Sequence, residues 1–260
     1  MTSESPEHHA AGGTDSAGQP WAGRSFGQTP FADDDGTAPA VFVEAIAAFR
    51  AGTVGESVVV DALRGIRLLI PLVASLGEAG VNDHGVTVDK SADLAIVTVA
   101  GPDGRAVLPV FSSVAAMQAW NPVARPVPAD AVRVALAAAD ESTELVIVDA
   151  TSPSEFAIRR PAVWAMAQSK PWTSPLDDAE VRSSFDASIE SEADVAALSL
   201  HAGDPTARLL GPEVIVELRL RPGLDQAHLD ALVRRLQERW AAHEVIAQRV
   251  DSLALRLLPA

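Results

Sequence analysis

Between positions 39 and 168 the apolar residues change rhythm repeatedly, from the i, i+3, i+4 spacing of a helix buried on one face to short runs that fit strands. Pro39 suits the first turn of a helix, and Phe42, Ala45, Ile46 and Phe49 share one face before Gly52 ends the run. A second, shorter helix is predicted over 56–63 with Val59, Ala62 and Leu63 inward and Gly65 closing it. The three valines at 58–60 fit a strand equally well, because β-branched side chains favour extended backbone. The run 66–73 reads as a strand whose Pro71 belongs at a sheet edge or just past the last ladder bond, since proline has no N–H to give. Runs at 94–100 and 105–111 flank Gly-Pro-Asp-Gly at 101–104 and predict a hairpin. Ser113 is placed to cap a helix with Ala116, Met117 and Trp120 on one face, stopped by Asn121-Pro122. Pro128 is expected to open another helix with Val132, Leu136 and Ala139 inward. A buried strand at 145–149, a partner for it at 156–158 and a closing helix at 162–167 complete this stretch.

Three other segments have different patterns. Residues 1–38 are rich in Gly, Ser, Thr, Asp and Pro with isolated aromatics (Trp21, Phe26, Phe31), too little apolar area to offset chain entropy, so a disordered acidic tail is expected. The same aromatics, ending in Asp33, Asp34 and Asp35, also fit a short motif that folds on a partner. Residues 169–194 carry seven carboxylates against two cations, together with Pro171 and Pro175, and read as an acidic linker. Over 195–260, strands at 195–201 and 214–220, a helix at 224–240 and a strand at 253–258 predict a β-β-α-β unit. Its helix presents Leu224, His228, Leu232, Leu236 and Trp240 on one side. A unit of that size is near the lower limit for independent stability, so it is expected to pack against the first domain or a second chain. The fold class is α+β: a mixed domain at 39–168 with a hairpin-containing sheet and flanking helices, and a small C-terminal unit.

Charge narrows the partners. The 260-residue chain has a formal net charge of −15, which repels nucleic-acid phosphates and anionic lipid instead of releasing their counterions. Neither nucleic acid nor membrane is an expected partner. The absence of cysteine excludes disulfides, thiolate metal sites and thiol nucleophiles. Together with the polar N-terminal residues and the lack of a long apolar run, this leads to an expected cytoplasmic location.

Local catalytic signatures are missing. No phosphate-binding or dinucleotide glycine motif, nucleophile elbow or His-Glu-x-x-His helix occurs. No catalytic residue, cofactor or metal is therefore expected, although catalytic groups can also assemble from distant positions. His8 and His9 lie in the expected tail; His84 with Asp83 and Asp89 fits either a metal-binding loop or, more simply, a polar loop before a strand, and Lys90 fits an anchored polar site or, more simply, a solvated strand-entry loop. His201, His228 and His243 read as structural or interfacial. Arg159 and Arg160, at the start of a helix, fit an anionic ligand held by the helix N-terminus, or ordinary surface charge. Trp120, Trp164 and Trp240 are expected in cores. Trp172, after Pro171 in the expected linker, has no evident core to enter and is the best candidate for a contact between domains or chains.

Leu-Pro-Val-Phe-Ser-Ser at 108–113, followed by Met117, Trp120 and Arg-Pro-Val-Pro at 125–128, resembles the SseB N-terminal domain family. Asp-Lys-Ser-Ala-Asp at 89–93, Gly-Pro-Asp-Gly-Arg-Ala at 101–106 and Leu-Val-Ile-Val-Asp at 145–149 fit the version common in high-GC bacteria. The resemblance spans 39–168, and 195–260 is similar only in layout to the family's C-terminal domain. The family name refers to a serine-sensitivity phenotype, so the resemblance transfers no site residues. The expected function is a non-enzymatic protein-binding or regulatory module with a protein partner or a second copy of itself. The alternative is a small-molecule binder or cryptic enzyme linked to amino-acid metabolism.

Overall fold

The computed structural model describes residues 31, 33–75, 80–81, 87–88, 93–141 and 143–260. His8, His9, Trp21, Asp83, His84, Asp89 and Lys90, most of the expected tail and the 89–92 part of the Asp-Lys-Ser-Ala-Asp segment lie outside them. The chain divides into Met1–Asp34 and Asp35–Ala260. In the first, the Asp34 N–H donates to the Phe31 carbonyl. The second holds everything that follows.

The second unit begins before Pro39. The Gly36 carbonyl accepts the Val114 N–H, and the Thr37 carbonyl accepts a hydrogen bond from the Arg67 guanidinium, which tie 36–37 to the fold. Gly36 has φ +76°, and a Cβ there would lie 2.8 Å from the Val114 side chain, so only glycine fits. Composition alone conceals this anchoring because the anchoring groups at 36 and 37 are backbone carbonyls.

Helices α1 (Ala40–Arg50) and α2 (Glu56–Arg64) lead into β1 (Arg67–Ser75), the short strands β2 (Gly80–Val81) and β3 (Thr87–Val88), then β4 (Asp93–Ile96), β5 (Val99–Ala100) and β6 (Ala106–Val110). Next come α3 (Val114–Trp120), β7 (Arg125–Asp130), α4 (Ala131–Asp140), β8 (Val146–Val148), β9 (Phe156–Ile158) and α5 (Arg160–Ala167). Two sheets with strand orders β4-β1-β7 and β5-β6-β8-β9 are joined by a bridge between Leu69 and Phe111. The hairpin forms as expected, with the Gly101 N–H donating to the Arg105 carbonyl. Its first arm is split, however: β4 pairs with β1 and only β5 pairs with β6.

Strand β1 is central, so Pro71 does not mark an edge. The Leu69 N–H points to Phe111, away from β7, and residues two apart share a side. Pro71 therefore turns its missing donor toward the gap between that bridge and the β4 ladder, which starts at Leu72. The 125–130 stretch is also strand, not helix. Asp130, accepting from the Arg133 N–H, starts α4 later than Pro128. The inward face is then Ala131, Val134, Ala135 and Ala138, and Leu136 is 54% exposed.

Strands β6, β8 and β9 are buried on both faces, which explains their near-continuous apolar runs. Leu108, Val110, Val146, Val148, Phe156 and Ile158 pack with Phe42, Val59, Leu63, Val134 and Met166 of the helices. The alternate residues Val107, Ile147 and Ala157 face the other way and are covered by Leu209 from the distant C-terminal half.

That half contains α6 (Ala179–Ile189), β10 (Val195–Ala202), β11 (Val214–Leu220), α7 (Gln226–Ala242), α8 (Glu244–Arg249) and β12 (Leu253–Pro259). Its sheet runs β10-β11-β12, antiparallel and then parallel, giving the expected β-β-α-β order with α8 added before the last strand. Leu232, Leu236 and Trp240 of α7 are buried, whereas His228 is exposed. The expected linker contains an 11-residue helix. Asp178 caps α6, and Val181 and Phe185 enter the second core, where Phe185 meets Trp240 edge-on at 5.5 Å. The Trp240 indole N–H donates to Ser188, so the carboxylates of 169–194 sit around a buried stripe instead of marking a tether.

The β10–β11 loop at 203–212 is the clasp between the halves. Its Ala207 carbonyl accepts the Ala157 N–H, and its Leu209 is 1% exposed beneath the β5-β6-β8-β9 sheet. The loop is pinched at its base: a Cβ on Gly203 would lie 2.2 Å from the Pro212 carbonyl oxygen. Gly203→Ala is expected to force this pinch apart at a cost of roughly 1–3 kcal/mol, as overpacking does. Limited proteolysis should then cut at 203–212 faster than in the parent chain, and unchanged cleavage would show that the pinch tolerates the methyl group.

Candidate functional site

Arg159 follows β9 and is the N-cap residue of α5, the position from which it was expected to meet an anion. It is 3% exposed, and the anions it meets belong to the chain itself. Nη2 donates to Asp204 Oδ2 at 2.8 Å and to the Gly211 carbonyl at 2.9 Å. Nη1 donates to Asp251 Oδ2 at 3.1 Å and to Ser252 Oγ at 3.2 Å. Asp251 is also held by both Arg105 Nη atoms, at 2.9 and 3.1 Å. Burial alone would raise the Asp251 carboxyl, but the Arg105 hydrogen bonds and the neighbouring guanidiniums outweigh it and hold the group below the usual range. Arg159 thus joins the halves; it does not present a free cation.

Arg160 points elsewhere. Its Nη2 donates to the Ala247 and Val250 carbonyls around the end of α8, and its guanidinium lies 5.3 Å from the centre of the Trp164 ring. Trp164 was expected in a core, yet it is 42% exposed. The inward face of α5 is Pro161, Ala162, Val163 and Met166, which leaves position 164 on the opposite side. Trp172 behaves in the opposite way. It is 8% exposed and belongs to the first core, which the chain reaches by reversing after α5 at Ser169, where φ is +54°.

Trp164 stands between two open grooves. One, of about 380 Å³, runs between α4 and α5 and is lined by Leu136, Ala139, Val163 and Ala167 with Glu144. The other, of about 550 Å³, lies between α5 and α8 and is lined by Pro161, Lys170, Trp172, Gln248 and Arg249. Exposed Leu136 and Trp164 therefore belong to one surface, with an apolar hollow on one side of the indole and a mixed polar hollow on the other. Sequence reasoning named Trp172 and Arg160 from this region and assigned Trp164 to a core. The available signal was that Arg160 and Trp164 are four apart on the same helix face.

The remaining candidates form no comparable site. His201 lies 3.8 Å from Glu217, and His228 Nδ1 lies 2.8 Å from Asp225. His243 joins α7 to α8. Among the described residues, no group of three or more His, Asp or Glu is placed to hold a metal ion. Among the same residues, no helix is long and apolar enough to cross a membrane.

No curated protein and no solved structure matches the chain. The family model of the SseB protein N-terminal domain matches residues 42–165, which run from the first buried aromatic of α1 to the residue after Trp164 and include the whole β5-β6-β8-β9 sheet. This stretch belongs to the SseB family.

Proposed function

We propose that this SseB-family chain is a cytoplasmic, non-enzymatic protein-binding or regulatory module that engages its partner through the surface around Trp164. The observation that carries this reading is a 42% exposed tryptophan between two grooves, with 54% exposed Leu136 on the same surface. A half-exposed indole beside hollows able to take side chains is the arrangement of an interface hot spot, in which tryptophan is over-represented. The net charge of −15 favours a protein partner over a nucleic acid.

The test is purification of the tagged full-length chain from its own host at physiological salt. A partner at near-equal stoichiometry should accompany the parent protein and a Val123→Glu control, whose site is 71% exposed in the turn after α3. It should be lost with Trp164→Glu while the melting temperature stays near that of the parent. Retention of the partner by Trp164→Glu would move the contact elsewhere, and purification of the parent alone would count against the module reading.

A further inference from the structure

We propose that the clasp between the halves is a proton-dependent latch, closed while Glu213 and Glu56 hold protons and released as they ionise with rising pH. Glu213 stands just before β11 at the base of the 203–212 loop and is 7% exposed. Its Oε2 accepts the Asp251 N–H, while its Oε1 is buried without a hydrogen-bond partner. Glu56, in the first turn of α2 in the other half, is within electrostatic reach of Arg159, Asp204 and Asp177.

Among the described residues, the cations around these two groups are already engaged. Arg159, from the β9–α5 junction, is occupied by Asp204 of the loop and by Asp251 of the segment before β12. Arg105, from the hairpin, is shared between Asp251 and Asp103. Arg50 of α1 feels Asp204 and Glu155 but is opposed by Arg208, and it donates to the Thr206 and Glu155 carbonyls. Asp177 adds another negative charge on the Glu56 side. Ionising Glu213 would therefore place a carboxylate with an unpartnered oxygen inside a cluster whose guanidiniums are already engaged. Burial accordingly pushes the Glu213 carboxyl up to about 8 and the Glu56 carboxyl up to about 7, from 4.5 in each case.

Because both values are raised in the closed form, that form holds more protons than one in which the carboxyls meet water. Closure is fully favoured below about pH 4.5, weakens as pH rises, and levels off past about 7 for Glu56 and about 8 for Glu213. Between pH 6 and 8 the closing constant falls ~50-fold through Glu213 and ~10-fold through Glu56 by this linkage. Opening lifts Leu209 from Val107, Ile147 and Ala157 and uncovers that face of the β5-β6-β8-β9 sheet. This reading is independent of the Trp164 surface.

Hydrogen exchange of the full chain at pH 6 and pH 8, corrected for the intrinsic chemical rate, tests the latch at two amides. These are the Ala157 N–H, bonded to the Ala207 carbonyl, and the Leu209 N–H, bonded to Asp204. Opening at both should increase tens-fold or more from pH 6 to 8. Glu213→Gln should lose most of that increase and Glu56→Gln a smaller part, with amides of the α7 core unchanged. Equal protection at the two pH values, or the same pH response in Glu213→Gln and Glu56→Gln as in the parent, would overturn the latch.

Discussion

Replacing Arg159 with alanine should lower the melting temperature by on the order of 10 °C. The side chain is 3% exposed and donates to Asp204, Asp251, Ser252 and the Gly211 carbonyl, so its removal leaves two buried carboxylates short of a cation. Breaking a buried ion pair from one side costs about 3–5 kcal/mol, and each kcal/mol moves the midpoint by roughly 2–4 °C in a chain of this length. Arg159→Lys should recover only part of the loss, because one ammonium cannot reproduce the forked contacts to both halves. Combining Arg159→Ala with Asp204→Asn should cost less than the two separate effects together, since the second change neutralises the charge stranded by the first. A shift below about 2 °C for Arg159→Ala would show that water or Arg105 takes over the cluster.

The clasp also adds contacts to the C-terminal half, whose size is near the lower limit for independent stability. Part of its support comes from α6, whose Phe185 packs on Trp240. Another part comes from the Leu209 loop, which is bound to the first sheet by backbone and guanidinium hydrogen bonds.

Much of the fold was legible because the local signals agreed with the tertiary structure. The α1 stripe, the Ser113 cap, the 101–104 turn and the β8–β9 pair all form where pattern and turn chemistry point. Reading failed where the local signal was weak or pointed two ways. Helix α6 has its buried stripe at Val181, Ser184, Phe185 and Ser188, a helical spacing in which two serines dilute the apolar signal amid carboxylates. Pro128 suggested a helix start, but its partner in the sheet is Leu69, a pairing visible only once β1 is central. At the candidate site, Arg159 and Arg160 were correctly placed at a helix start, yet their hydrogen-bond partners lie 45–93 positions away and leave no local trace. The two tryptophans were exchanged for the same reason: sequence neighbours do not reveal which side of α5 faces the core or that the chain turns back after it.

That exchange sets up the second large effect. Trp172→Ala should destabilise the chain by about 3–5 kcal/mol, the usual cost of truncating a buried aromatic, and lower the melting temperature by on the order of 10 °C. Trp164→Ala should change stability by less than about 1 kcal/mol, because a 42% exposed ring gives up little burial and only a surface contact with Arg160. The binding readout should run in the opposite order at temperatures where both variants are folded: Trp164→Ala weakens partner capture and Trp172→Ala largely preserves it. Trp172 still lines the α5–α8 groove, so a modest loss of capture is compatible with its role in supporting the groove wall. Equal melting temperatures for the two variants would mean that Trp172 contributes its surface and not its burial. The contact suggested by its place in the sequence would then return to that residue.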